Sequence, residues 1–204
     1  MNYLSDRINL LAESETLAMT RRSRELSAQG FDVINLSIGE PDFDTPEHVK
    51  KAAKEAVDQN YSHYTPVAGY PELRQAIANK LKRDNALDYT AEQIVVSTGA
   101  KQSLANAILS LVNPGDEVLI PAPYWVSYKE IIKLAGGKGV FIEGGIQADF
   151  KVTPEQIEAA ITPETKVFMF SSPCNPSGTV YTYDELKAFA YVFVNHPHVF
   201  IISD

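Results

Sequence analysis

Six short stretches of this 204-residue chain hold residue types whose spacing suits chemistry. In "STGAKQS" (97–103) a strand ends, small residues follow and a helix begins. Free backbone N–H groups and the helix dipole then converge on one point, which favours a bound phosphate or carboxylate; an ordinary tight turn has the same composition. Lys101 adds positive charge to such a site, or is merely solvated. "PAPYWVSY" (121–128) places Tyr124, Trp125 and Tyr128 just past a strand end, where an aromatic face either stacks on a flat ring or packs the strand-to-helix connection. In "SSPCNPSG" (171–178) Asn175 stands between Pro173 and Pro176, so its amide is held in one direction and suits donation to a ligand oxygen. Asparagine is equally a plain turn residue. "HVFIISD" brings Asp204 to the inner end of an apolar strand, where a carboxylate is costly unless it meets a cation. No His or Cys cluster at metal spacing accompanies it, so a protonated organic nitrogen is a better partner than a metal, and a solvated chain end is the other reading. "NLSIGEPDFDTP" offers Gly39, where backbone can approach a ligand closely, and "SHYTPVAGYPELR" offers Tyr64, a phenol that can reach a phosphate oxygen. A bare turn and an exposed loop tyrosine are their alternatives.

The elements that must position these residues follow from the apolar pattern. A helix over 8–29 ends at Gly30; a short strand "VINLS" follows; Thr45 caps a helix whose first residue is Pro46 and whose apolar stripe is Val49, Ala52, Ala53, Ala56 and Val57. A second helix carries Leu73, Ile77 and Leu81 on one side. From there strands "QIVVS", "EVLIP", "GVFIE", "KVFMF" and "HVFIIS" alternate with helices, two of them opened by the capping boxes Thr153/Gln156 and Thr182/Glu185. Five short strands separated by helices make an α/β fold with a largely parallel sheet and helices on both faces. Ligands bind such sheets at the carboxyl ends of the strands. The loops 97–103, 121–128 and 171–179 all lie there, which is the main functional signal the residues give by themselves.

Composition bounds the function. Hydrophobic residues are 45% and charged residues 22%, an ordinary globular balance, and the net charge of −8 gives no basic footprint for nucleic acid. One cysteine, Cys174, excludes an internal disulfide framework and a multi-cysteine metal site, and points to a reducing, cytoplasmic setting. The polar start and the lack of an 18-residue apolar run give no signal peptide and no membrane partner. The phosphate-loop pattern GxxxxGK[ST] and the dinucleotide fingerprint GxGxxG are both missing, which sets a nicotinamide dehydrogenase aside.

In order along the chain, "GEPDFDTP", "YTPVAGYPELR", "STGAKQSL", "NPGDEVLIPAPYWVSY", "SSPCNPSG" and the final "ISD" resemble the class I aminotransferases among the fold-type I pyridoxal-phosphate enzymes, with the bacterial aspartate aminotransferases the nearest group. The resemblance runs from about residue 35 to residue 204. It implies a three-layer αβα arrangement around a mostly parallel sheet, the large domain of that fold, incomplete at its C-terminal end. It also implies an N-terminal arm and small-domain segment over 1–47 and a cofactor-binding large domain over 48–204.

The cofactor so implied is pyridoxal 5′-phosphate. Gly99, Ala100 and Lys101 would cradle its phosphate by backbone groups, with Tyr64 reaching the phosphate of a neighbouring subunit. Trp125 would stack on the ring, Asn175 would donate to its phenolic oxygen, and Asp204 would keep its nitrogen protonated, so that the ring acts as an electron sink. Gly39, Trp125 and Asn175 would also line the substrate site, the Gly39 backbone meeting an amino acid's α-carboxylate, and Lys101 could meet a side-chain carboxylate. The implied reaction is amino-group exchange between an L-amino acid, aspartate or glutamate first, and a 2-oxo acid, in a cytoplasmic homodimer. The lysine that forms the Schiff base belongs to a later Ser-x-x-Lys-type segment, and no lysine present matches that context. No catalytic residue is therefore expected within these 204 residues, and as a separate polypeptide they are expected to be inactive. A non-catalytic module that binds the cofactor, and a same-fold lyase acting on sulfur amino acids, are the alternatives.

Overall fold

A computed structural model describes residues 3–13, 15–36 and 38–204. In chain order the elements are α1 (Asp6–Asn9), α2 (Glu15–Ala28), α3 (Glu47–Asp58), α4 (Pro71–Asn85), α5 (Ala100–Leu111), β1 (Glu117–Ala122), α6 (Ser127–Ala135), β2 (Lys138–Glu143), α7 (Pro154–Ala160), β3 (Thr165–Phe170), α8 (Tyr183–Val194) and β4 (Phe200–Ser203). Two compact units result, one of Met1–Ser14 with Gly99–Asp204 and the other of Glu15–Thr98.

The first unit is built on a four-stranded sheet of order β2-β1-β3-β4, every neighbouring pair parallel. Side chains on a strand alternate between faces, and here the alternation separates two cores. Val118, Ile120, Val167 and Met169 pack with Leu104 and Ile108 of α5 and with Tyr128, Ile131 and Ile132 of α6. Leu119, Phe168 and Phe170 pack on the other face with Ile157 of α7 and with Phe189, Val192 and Phe193 of α8. Two helices on each side of one sheet make the three-layer α/β architecture that the sequence pattern implies. The central strands β1 and β3 are buried almost throughout because both faces are covered, whereas the edge strands β2 and β4 are largely exposed. Phe168, fully buried, has ring neighbours Phe170, Phe189 and Phe193 at 5.5, 6.0 and 5.0 Å; full burial of such a ring contributes about 1.5–3 kcal/mol.

The two anticipated capping boxes are formed: the Thr153 and Thr182 hydroxyls accept from the Gln156 and Glu185 N–H groups at 3.3 Å. Gly30 and Gly136 follow α2 and α6 at positive φ, as helix ends favour. Other details of the sequence pattern are corrected. The helix anticipated over 8–29 is broken between α1 and α2, because the Ala12 N–H donates to Glu130 Oε2 of α6 at 3.0 Å instead of to a helical carbonyl; Ser14 lies outside the described residues.

In the second unit Pro46, not Thr45, is the residue before α3. No residue of α3 is buried, so its apolar stripe faces solvent in this chain. The strand anticipated at 33–37 is not formed over its described residues, Ser37 being outside them. "QIVVS" is no strand either: Ile94 keeps extended dihedrals, yet the Val96 N–H finds a single acceptor, Ala68 O at 3.0 Å, and no ladder. A strand is a pairing as well as a pattern, and among the described residues no strand pairs with these.

Candidate functional site

Helix α6, leaving β1, packs on one face of the sheet, and α8, leaving β3, packs on the other. Adjacent parallel strands whose outgoing chains turn to opposite faces leave a crevice beyond their carboxyl ends. By that rule the crevice falls between the 123–126 loop and the 171–182 loop. A bond from Cys174 Sγ to Pro123 O at 3.3 Å ties the two loops together. The longer loop also closes on itself: the Cys174 N–H donates to Thr179 O at 2.9 Å, the Gly178 N–H to Cys174 O at 2.7 Å, and the Tyr181 N–H to Ser172 Oγ at 3.0 Å. The Ala122–Pro123, Ser172–Pro173 and Asn175–Pro176 bonds are cis.

Most of the sequence-derived candidates converge on this rim. Gly99 precedes α5 with φ +86°, and a Cβ built on it would meet nothing within 4 Å. Its carbonyl accepts from Gln102 and Ser103, so the N–H groups of Ala100 and Lys101 belong to the first turn, whose donors have no helical carbonyl behind them. Lys101 Nζ stands 4.8 Å from the centroid of the Trp125 ring, a cation–π distance that ties the α5 start to the β1 loop. The Trp125 ring in turn meets the Tyr128 ring edge-on at 5.7 Å. Asp204 continues the β3–β4 ladder, its N–H donating to Phe170 O at 3.0 Å, and its Oδ2 accepts from the Tyr128 hydroxyl at 2.5 Å. Lys101, Trp125, Tyr128 and Asp204 thus form one connected series across the strand ends. Asn175 is exposed in the 171–182 loop. Gly39 and Tyr64 belong to the other unit, where Tyr64 is fully exposed and Gly39 has open space at its Cβ position.

Tyr128 is the member whose partner sequence reasoning missed. Its aromatic character was legible, but its ring is 1% exposed and fills the core, and its hydroxyl alone reaches the rim. Desolvation pushes this phenol well above its usual range and the bond to Asp204 pushes further, with the Ser171 hydroxyl opposing. The signal available was a tyrosine in the first turn of the helix after β1, a strand separated by β3 from the strand that leads to Asp204, which requires the strand order to be known. Tyr124, also a stacking candidate, instead lies flat on Phe141 of β2 at 4.7 Å.

Among the described residues no group of three or more His, Cys, Asp or Glu side chains could hold a metal ion, and no helix is long and apolar enough to cross a membrane. What the rim offers is a helix start for an anion, an indole for a flat ring and a carboxylate for a protonated nitrogen.

The family model for aminotransferase class I and II matches residues 32–204. The aspartate/prephenate aminotransferase of Cereibacter sphaeroides (strain ATCC 17029 / ATH 2.4.9) is 53% identical over 204 residues, covering all of this chain and 51% of the relative. The aspartate aminotransferase of Geobacillus stearothermophilus is 48% identical over 201 residues, 98% of this chain and 51% of the relative. Among solved structures, the aspartate aminotransferase from Rhizobium meliloti superposes with a TM-score of 0.95 at 43% identity, covering all of this chain and 51% of that one. The Thermus thermophilus enzyme with maleate superposes at 0.95 and 45% identity, covering all of this chain and 53% of that one. The chain spans about half the length of the curated relatives it matches. It belongs to the class I and II aminotransferases, a pyridoxal-phosphate-dependent family.

Proposed function

We propose that these residues form the cofactor-binding part of an aminotransferase that exchanges the amino group of a dicarboxylic amino acid, aspartate or glutamate, with a 2-oxo acid. The observation that carries the reading is the connected series Lys101–Trp125–Tyr128–Asp204 at the carboxyl ends of a parallel sheet. The donor set fits pyridoxal phosphate. The helix start at Gly99, Ala100 and Lys101 suits a phosphate dianion, and Gly99 leaves the approach open. Trp125 suits the flat ring, the exposed amide of Asn175 its phenolic oxygen, and the Asp204 carboxylate its nitrogen. When bound, the cofactor supplies an electron sink that a protein side chain cannot.

Within that arrangement Asp204 keeps a proton on the ring nitrogen by offering a fixed negative charge. Trp125 holds the ring plane and excludes water from one side. The Gly39 backbone is assigned to the substrate α-carboxylate, and Tyr64 to the phosphate of a neighbouring subunit in a homodimer. Lys101 is assigned to the side-chain carboxylate of a dicarboxylic substrate, since its ammonium is already drawn to the Trp125 ring. The aspartate aminotransferase names of the relatives, and the dicarboxylate maleate in one solved relative, support that substrate class. The lysine that would bind the cofactor covalently is not assigned among these residues, so a polypeptide of these 204 residues alone would not transaminate.

Steady-state assays on the full-length natural protein test the reading. Aspartate with 2-oxoglutarate is expected to turn over. Lys101→Ala is expected to lower kcat/KM for aspartate by about tenfold or more, the worth of one charge-assisted contact, while leaving a neutral aliphatic amino acid nearly unchanged. Intact aspartate selectivity in that variant would remove Lys101 from the assignment, and no turnover of any amino acid would remove the function.

A further inference from the structure

Tyr128 lies in the first turn of α6, with its ring buried in the core cluster that also holds Val118, Ile120 and Met169 and edge-on to Trp125, while its hydroxyl meets Oδ2 of Asp204 at 2.5 Å. That distance is at the short end for an O–H donor on a carboxylate. Asp204 is already fixed along the chain by its N–H bond to Phe170 O, but a backbone bond does not set the rotation of a carboxyl group.

We propose that Tyr128 is a positioning residue: by occupying one oxygen of Asp204 it fixes the carboxylate plane and leaves the other oxygen directed to the cofactor's ring nitrogen. The inference rests on the reading of Asp204 given above. A buried phenol forms a bond of this kind either to satisfy its own hydroxyl or to orient its partner, and the surroundings favour the second. The other groups facing the Tyr128 hydroxyl are Ser171, which interacts with it through its own hydroxyl, and the Cys174 thiol. Burial keeps the phenol protonated, and therefore a donor, across the neutral range. The same helix start then places both the stacking indole and the carboxylate, so the ring's plane and its in-plane rotation have one common support.

The test is a double-mutant cycle on the full-length apoprotein, read as the affinity for pyridoxamine 5′-phosphate, which binds without a covalent bond, followed by its absorbance. Tyr128→Phe keeps the buried ring and removes only the hydroxyl. It is expected to weaken binding about tenfold in the wild-type background and less than about twofold in Asp204→Asn, since its effect passes through the carboxylate. The melting temperature of each variant separates a folding defect, and Asp204→Ala serves as the second background should Asp204→Asn fold poorly. Equal losses in both backgrounds, or wild-type affinity in Tyr128→Phe while Asp204→Asn binds poorly, would overturn the role of Tyr128 and leave that of Asp204 standing. Wild-type affinity in Asp204→Asn and Asp204→Ala would remove the Asp204 assignment itself, and the role of Tyr128 with it.

Discussion

Glu117 and Asp204 sit at opposite ends of the parallel sheet, and their surroundings differ in kind. Glu117, at the start of β1, has its carboxylate closed in by Lys138 Nζ at 2.8 Å and Thr162 Oγ1 at 2.7 Å. The Lys138 bond, then the Thr162 bond, hold its pKa below the ordinary glutamate value of 4.5 against the opposing effect of burial. A carboxylate whose folded pKa is depressed adds stability that is fully present above its unfolded value and is lost as pH falls through the folded one. Glu117→Gln is therefore expected to cost about 1 kcal/mol at neutral pH, with Lys138 largely in solvent and its share screened. The difference from wild type should shrink as pH drops below 4.5, read by urea unfolding across that range. A pH-independent difference would contradict the assigned charge. Asp204, by contrast, accepts at Oδ2 from the Tyr128 hydroxyl, a phenol that burial keeps neutral. At this scale Asp204, Trp125 and Lys101 were legible as candidates, because each stood out by type at a strand or helix end. Tyr128 and Cys174 were illegible as partners, because their contacts span 76 and 51 residues and depend on strand order.

At the scale of elements, helices were easier to read than strands for a physical reason. A helix closes its own hydrogen bonds, so its caps are written locally. Thr153/Gln156 and Thr182/Glu185 form the boxes that their spacing implies, and Thr90/Gln93 forms one more, unanticipated. Thr182→Ala, which removes the acceptor for the Glu185 N–H, is expected to lower unfolding free energy by about 1 kcal/mol by thermal or urea denaturation; Thr182→Ser should restore most of it. Equal stability of Thr182→Ala and wild type would show that α8 is held by the packing of Phe189 and Phe193 alone. Strands were over-read at 33–37 and 93–97 because apolar alternation says nothing about whether a neighbour is present to pair. The alternation within β1 and β3, by contrast, does divide their side chains between two cores, since both faces of those strands are covered.

For the whole molecule, the family is fixed by six motifs in register and by agreement with solved relatives over all of this chain and about half of theirs. The order of the strands, which decides where the crevice falls, was not written in any motif. The central claim is that these residues hold pyridoxal phosphate for an aminotransferase whose covalent lysine is none of those seen here. The most direct measurement is the intact denatured mass of the protein from its natural source, before and after borohydride reduction with pyridoxal phosphate, followed by peptide mapping of the adduct. The account predicts a chain much heavier than 204 residues that gains one reduced cofactor on a lysine outside this sequence. No covalent gain, or a gain mapped to a lysine such as Lys101, would contradict it.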